Sequence, residues 1–285
     1  MRAKFLMLAA LLIADANEAG AVTEDITVNA TKLTQKAARE RADTFVRQLR
    51  IADSGKQLGR WYEPICPKVI GAPEAEAKRF VRRIAAIARP LKLTVQLERC
   101  AANFIVILSD EPTKLISAID RNVPAPPSTL DPLAFRALLK STAPIRWWYR
   151  AGGRAPGGGY TGTPISASDG GPITFNPSEA PRVLTTVVRE VSAAVIVIDR
   201  RQLLGVPYDT LSAYAAFVGL AEISPPKQVP SYSVLALCDA TTCPVAPSFT
   251  DVALLESVYK TEDRRDGLYH RIAVTNALTR RLEAK

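Results

Sequence analysis

Three arginines and a tryptophan in one short stretch carry the side chains best suited to binding a ligand. Arg146, Arg150 and Arg154 flank Trp148 at regular spacing. A guanidinium group binds carboxylates and phosphates, and an indole ring stacks on a sugar or packs on a partner protein. If the stretch is a strand, Trp147 and Trp148 project to opposite faces, so one of them is free to contact a ligand. The sequence therefore predicts a binding site at these three arginines and Trp148, and the alternative is that both tryptophans are buried.

Carboxylates offer a second kind of chemistry. A pair of carboxylates can act as acid and base, and Asp199, Asp209 and Asp251 are the candidates for a hydrolase that works without histidine. Asp199 at a predicted strand end and Asp251 at a predicted helix start also suit structural roles. We therefore assign no catalytic residue and keep this hydrolase as the alternative function.

The chain has one histidine, His270, in the last predicted helix. A serine hydrolase triad or a histidine-based zinc site needs imidazole, and an ordinary surface or capping role is the simpler interpretation of a lone histidine. Nucleophile-elbow, zinc-peptidase and paired CxxC motifs are absent from the sequence, and its glycines do not match a nucleotide-binding spacing. The sequence predicts neither a cofactor nor a metal.

Four cysteines are present, and in an exported chain two disulfides are favoured over a metal site. Cys66 and Cys100 can join two adjacent strands, and Cys238 and Cys243 enclose a loop that is easy to close. Four cysteines allow three pairings, and of these we predict Cys66 with Cys100 and Cys238 with Cys243, without a free thiol.

The first 21 residues have the features of a secretory signal peptide. Arg2 and Lys4 precede an apolar run from 5 to 14, and a small-residue cleavage pattern follows at 19 to 21. The run is much shorter than the roughly 20 residues of a membrane span, so an uncleaved anchor is the minor alternative. We predict a periplasmic or secreted protein without a transmembrane segment after cleavage.

The charge balance indicates what kind of partner to expect. The chain has a net charge of +9, with 37 basic residues scattered along predicted helices. Scattered charges are typical of solvated helix faces and do not predict a nucleic-acid partner. A basic exported protein nonetheless meets anionic polymers of the cell envelope. With 47% hydrophobic and 23% charged residues, the composition is that of a globular protein.

The elements that must position these groups are predicted helices and strands, which follow one another in mixed order along the chain. Helical spacing is found in seven segments: 31–50, one that begins at 73, 110–122, 132–139, one that follows Pro207, 251–260 and 266–282. Strands are predicted at 93–97, 103–108, 145–150 and 195–198, with an edge strand or irregular ribbon in 61–71. The β-branched run 195–198 predicts a central strand covered on both faces. This pattern is typical of an α/β (α+β) fold with a mixed sheet and packed helices.

The sequence predicts three parts. Residues 1–21 form the signal peptide, residues 22–55 an N-terminal helical segment, and residues 56–285 a single α/β domain. The region 151–181 contains eight of the 15 glycines and five prolines. It is predicted to be a long irregular loop, either functional or disordered.

The order of elements from about Trp61 to Tyr259 resembles a metzincin-type metallopeptidase domain. The segment SFTDVALLESVY at 248–259 is similar to the last helix of matrix-type members, and the ending FVGL at 217–220 is similar to that of the zinc-binding helix. The chain also resembles uncharacterised exported proteins of Gram-negative bacteria, and that resemblance implies no function.

The metzincin resemblance implies a fold and argues against the activity. In its register, the three histidine ligands correspond to Ser212, Ala216 and Glu222, and the catalytic glutamate corresponds to Ala213. The methionine of the turn beneath the site is absent from 234–237. Because only Glu222 can bind zinc well, the resemblance implies a degenerate metzincin-like domain without stoichiometric zinc or peptidase activity. We expect a non-catalytic envelope protein that binds an anionic polymer, a glycan or a protein partner.

Overall fold

The computed structural model describes residues 33–119, 130–154, 187–238 and 242–284. The predicted signal peptide and residues 155–181 of the predicted loop lie outside the described residues.

The described part of the chain contains seven α-helices, four strands and three short 3-10 helices. The helices are α1 Gln35–Gln48, α2 Glu74–Ala88, α3 Pro112–Ala118, α4 Pro132–Lys140, α5 Tyr208–Leu220, α6 Phe249–Lys260 and α7 Gly267–Glu283. The strands are β1 Pro67–Ile70, β2 Phe104–Ser109, β3 Ile145–Arg154 and β4 Val188–Asp199. This arrangement confirms the predicted α/β class.

The four strands form one mixed sheet in the order β1-β2-β4-β3. β1, β2 and β4 are parallel, and β3 is antiparallel to β4. The predicted central strand is confirmed, because residues 193–199 of β4 are all buried between two neighbouring strands and two covered faces. We call the end of the sheet where β1, β2 and β4 finish the carboxyl edge, and the opposite end the amino edge.

The two faces of the sheet are covered unequally. The larger core lies on one face and includes buried side chains of α1, α2, α5, α6 and α7. The smaller core lies on the other face, where α3 and α4 pack on alternate residues of β2, β3 and β4. None of the side chains of α4 is fully buried. The second face therefore has a thinner cover than the first.

Local signals decide where most helices begin. Thr34, Asp131 and Asp266 each accept a hydrogen bond from the first turn of the following helix. Ser248 and Asp251 form a capping box at the start of α6. These side chains satisfy backbone N–H groups that have no partner within the helix. The starts predicted at 132, 251 and 266 lie within two residues of the observed ones, whereas the helix predicted from 31 begins at Gln35.

The predicted strand at 93–97 is wrong. The segment forms a single bridge, in which Ile65 N donates to Thr94 O at 2.8 Å and Gln96 N donates to Ile65 O at 2.8 Å. Pro64 and Pro67 in the partner segment have no N–H to extend the ladder. Leu97 is 52% exposed, so the alternation of apolar residues here does not mark a strand.

Two predicted boundaries also differ from the structure. The helix expected to end near residue 122 ends at Ala118, and residues 120–129 lie outside the described part. Residues 151–154, expected to be irregular, belong to β3. They pair with residues 188–191 after a register shift at Arg150/Ala151. A bulge of this kind lets a glycine-containing strand continue its pairing.

Both predicted disulfides are present, Cys66–Cys100 and Cys238–Cys243. Cys66 precedes β1 and Cys100 precedes β2, so the first bridge lies at the amino edge. Two disulfides are compatible with an exported protein. None of the described helices is both long enough and apolar enough to cross a bilayer.

Candidate ligand-binding site

The connections at the carboxyl edge diverge between β2 and β4. The chain leaves β2 towards α3 on the second face, and it leaves β4 towards α5 on the first face. Two adjacent parallel strands with connections to opposite faces leave a crevice outside their ends. In open α/β sheets, ligands bind at such a switch point.

A cleft of about 360 Å³ lies at this switch point. Its lining comes from the β2–α3 connection, the chain between α4 and β3, the start of β3 and the β4–α5 connection. The polar lining residues are Asp110, Glu111, Thr113, Lys114, Ser141, Thr142, Arg146, Asp199, Arg201 and Gln202. The volume is in the range of small-molecule sites.

Arg146 is the buried cation of the cleft. Its residue is 4% exposed, and its Nη1 donates to Thr113 Oγ1 at 3.0 Å and to Leu138 O at 3.5 Å. Among the described residues, Nε and Nη2 have no hydrogen-bond partner, although neither is sealed from solvent. Burial lowers the pKa of the Arg146 guanidinium, and the negative charge of Asp199 opposes that shift. Arginine stays charged in proteins, so donors remain available to a ligand.

Asp199 is the buried anion of the cleft and organises the β4–α5 connection. It is 8% exposed. Its Oδ1 accepts from Arg201 N at 3.0 Å and from Gln202 N at 3.3 Å, and its Oδ2 accepts from Gln202 Nε2 at 2.8 Å. These bonds hold the turn after the strand, as a short acidic side chain commonly does.

The rim of the cleft carries charges that are already paired. Arg200 binds Asp110 through two nitrogens and also donates to Gly71 O at 3.4 Å. Lys114 pairs with Glu111 at 2.5 Å. Ion pairs this exposed contribute little stability, but the contacts of Arg200 join the β4–α5 connection to Asp110 after β2 and to Gly71 after β1.

The structure separates the predicted binding residues. Arg146 lies in the cleft. Trp148 is 3% exposed in the smaller core, so the expectation of a free tryptophan is wrong. Trp147 is also buried, and its Nε1 donates to Ile223 O at 3.0 Å. The two indoles do project to opposite faces, but helices cover both faces, which strand periodicity alone does not reveal.

The other two predicted arginines lie outside the cleft. Arg150 is exposed, and its Nε donates to Ser192 Oγ at 2.9 Å. Arg154 lies at the amino edge, where it binds Glu63 and also Glu190, the latter at 2.9 Å. Glu190 is 2% exposed. Burial raises the pKa of Glu190, and Arg154 opposes this shift. The positive charge of Arg154 is therefore paired with carboxylates of the protein.

The candidate carboxylates of the alternative function are held by separate partners. Asp209 faces Arg79 and Arg83 of α2, at 2.6 and 3.6 Å. Asp251 is fully buried and accepts from Ser233 Oγ at 2.6 Å and from the backbone N of Val234 and Ser248 at 2.8 Å each. Burial raises the pKa of Asp251, and these hydrogen bonds oppose the shift. Asp199 is the one that lines the cleft.

Of the two ordinary roles expected for His270, surface or capping, the surface position is excluded because the residue is buried and hydrogen-bonded. It is 1% exposed, its Nδ1 accepts from Leu58 N at 3.0 Å, and its Nε2 lies 2.8 Å from Glu262 O. Because Nδ1 accepts, Nε2 carries the proton and donates. Burial lowers the pKa of His270, so the neutral ring ties the segment before β1 to α7.

The positions named by the metzincin resemblance do not surround an open site. Ser212 is buried and donates to Asp209 O at 2.8 Å, and Ala213 and Ala216 are fully buried in α5. Glu222 accepts from Arg189 at 2.6 and 2.7 Å. Within the described ranges, no group of three or more histidine, cysteine or acidic residues is placed to hold a metal ion.

No family model, curated protein or solved structure matches the chain. The candidate site therefore rests on geometry and chemistry.

The sequence reasoning missed Thr113, Ser141 and Gln202 as parts of one site. A usable signal was present, because Asp110 follows the buried strand β2 and Asp199 is the last residue of the buried strand β4. The ends of parallel strands meet at one edge of a sheet, so polar residues at these two points indicate a shared crevice. This signal does not show to which face of the sheet the chain turns after each strand.

Proposed function

We propose that this chain is a non-catalytic exported protein of the cell envelope, periplasmic or secreted, that binds an acidic group of an envelope polymer or glycan in the cleft between β2 and β4. One observation carries the proposal: the guanidinium of Arg146 is buried in the wall of the cleft and has nitrogens without a protein partner among the described residues.

Burial makes this arginine different from the many exposed ones. A buried charge is costly unless it is paired, and a guanidinium binds a carboxylate or phosphate through two parallel hydrogen bonds. Hydroxyls of Thr113, Ser141 and Thr142 and the amide of Gln202 line the same cleft. Such groups suit the hydroxyls and amides of a glycan.

The test is cosedimentation of the mature protein with purified peptidoglycan and with lipopolysaccharide. Arg146→Met removes the buried guanidinium, and Arg150→Met is the matched control because it removes an exposed arginine of the same strand outside the cleft. We expect wild type and Arg150→Met to be retained on at least one polymer, and Arg146→Met to lose about tenfold in affinity or more. Equal retention of wild type and Arg146→Met, or no retention of wild type on either polymer, contradicts the proposal.

A further inference from the structure

Arg146 and Asp199 project from neighbouring positions on the same face of the sheet. Arg146 lies directly opposite Val197 in the antiparallel pairing of β3 and β4, and Asp199 is two residues further along β4. Diagonal neighbours of this kind are within reach of each other's long side chains. Both residues are buried and both line the cleft.

The two opposite charges nevertheless do not pair. Among the described ion pairs within 4.0 Å, none joins Arg146 to Asp199. Arg146 donates to Thr113 Oγ1 and to the carbonyl of Leu138. Asp199 accepts from Arg201 and Gln202 in the turn after β4. The protein therefore holds a positive and a negative group apart in one cleft.

Both groups have hydrogen-bond capacity that the described residues do not use. An ionised carboxylate accepts about four hydrogen bonds, and Asp199 accepts three from the protein. Arg146 still has nitrogens without a protein partner among the described residues. Of the other charged residues that line the cleft, Asp110 is paired with Arg200 and Glu111 with Lys114, and Arg201 is exposed. A positive and a negative group held apart in one cleft, each with hydrogen-bond capacity left, favour a ligand that carries both charges.

We infer that the unit bound in the cleft is a compact zwitterion, with its acidic group on Arg146 and a primary ammonium on Asp199. This inference rests on the proposed function and narrows its ligand class to units that carry an ammonium beside an acid. An amino-acid unit and a phosphoethanolamine group share that chemistry.

Four small probes test the contributions of the acid and of the ammonium separately. Serine carries both charges, 3-hydroxypropionate lacks the ammonium, ethanolamine lacks the acid, and O-phosphoethanolamine replaces carboxylate by phosphate. Binding to the full mature protein is followed by protein-observed NMR. We expect serine or O-phosphoethanolamine to bind at least about tenfold more tightly than either single-charge probe, and the better of the two identifies the acid.

Two variants assign the charges. Asp199→Asn should abolish the preference for serine over 3-hydroxypropionate, and Arg146→Met the preference for serine over ethanolamine. Asp209→Asn, outside the cleft, should leave both preferences unchanged. The wild-type probe series decides the question even if Asp199→Asn fails to fold.

The outcomes separate this inference from the proposed function. If 3-hydroxypropionate binds wild type as tightly as serine, the zwitterion is wrong while an acid-binding cleft stands. If none of the probes shifts resonances of the cleft, the zwitterion is also wrong. The cosedimentation of wild type and Arg146→Met then decides independently whether the cleft binds polymer at all.

Discussion

The two ends of β3 place an arginine in opposite situations. Arg146 lies at the carboxyl edge, with a buried carboxylate nearby that it does not pair with. Arg154 lies at the amino edge, bound to Glu63 and Glu190. Both residues occur in the same basic, aromatic stretch of sequence. The position of an arginine relative to the ends of the parallel strands, and not its local sequence, decides whether its nitrogens are left unused in a cleft or are paired with carboxylates of the protein.

The amino edge is held together by more than one kind of interaction. Arg60 pairs with Asp263, Arg189 pairs with Glu222, and the Cys66–Cys100 disulfide joins the segments before β1 and β2. The carboxyl edge has exposed ion pairs on its rim and unpaired charges within. We therefore expect substitutions at the amino edge to change stability and substitutions in the cleft to change ligand affinity.

The largest effect should come from the amino-edge disulfide. Replacing Cys66 and Cys100 by alanine releases a loop whose ends are 34 residues apart, and the chain-entropy relation gives a loss of about 4 kcal/mol in unfolding free energy. Replacing Cys238 and Cys243, only 5 residues apart, should cost about 2 kcal/mol. Urea unfolding measures both. A loss for the shorter loop as large as for the longer one would contradict the argument.

Arg154→Met should be the next most damaging change. It leaves the carboxylate of Glu190, which is 2% exposed, without its hydrogen-bond partner among the described residues. An abandoned buried charge costs about 3 kcal/mol. Urea unfolding is again the measurement, with the exposed Arg150→Met as control at less than about 0.5 kcal/mol. Similar midpoints and slopes for the two variants would show that Arg154 is not a structural group.

Acid should weaken the amino edge through His270. Burial lowers the pKa of His270 below its usual 6.5, so the unfolded chain takes up a proton before the folded one does. The contribution of the neutral ring is present above pH 6.5 and is lost as the pH falls through that value towards the lowered pKa.

Unfolding at pH 7.5 and pH 5.5 measures this dependence, with His270→Asn as the matched variant. Asparagine keeps an acceptor for Leu58 N but does not titrate, so the variant should lose less stability between the two pH values than wild type does. An equal loss in both proteins would mean that His270 does not carry the pH dependence.

The smallest effect on stability should be that of Arg146→Met. The change removes hydrogen bonds to Thr113 Oγ1 and Leu138 O. Thr113 lines the cleft, where water can replace the lost donor, so we expect a loss of about 1 kcal/mol. Ligand affinity should fall at the same time. If Arg146→Met destabilises the protein as much as Arg154→Met does, the contrast between the two edges is broken and Arg146 is structural.

The sequence alone determined the elements whose causes are local. The β-branched run 195–198 specified a central strand, and the helices predicted at 251–260 and 266–282 begin within two residues of the expected positions. The two disulfides were expected from the spacing of the cysteines and confirmed by the structure. The alternation at 93–97 predicted a strand that does not form. Its partner segment contains Pro64 and Pro67, so another part of the chain limits the pairing to a single bridge.

Tertiary structure alone decided the site. Periodicity placed Trp147 and Trp148 on opposite faces but could not show that helices cover both. Thr113, Arg146 and Asp199 are far apart in the chain, and they meet only because β2, β4 and β3 are neighbours whose connections turn to opposite faces. A residue's type and spacing determine which chemistry it can perform. The packing of distant segments determines whether its charge is neutralised within the protein or left for a ligand.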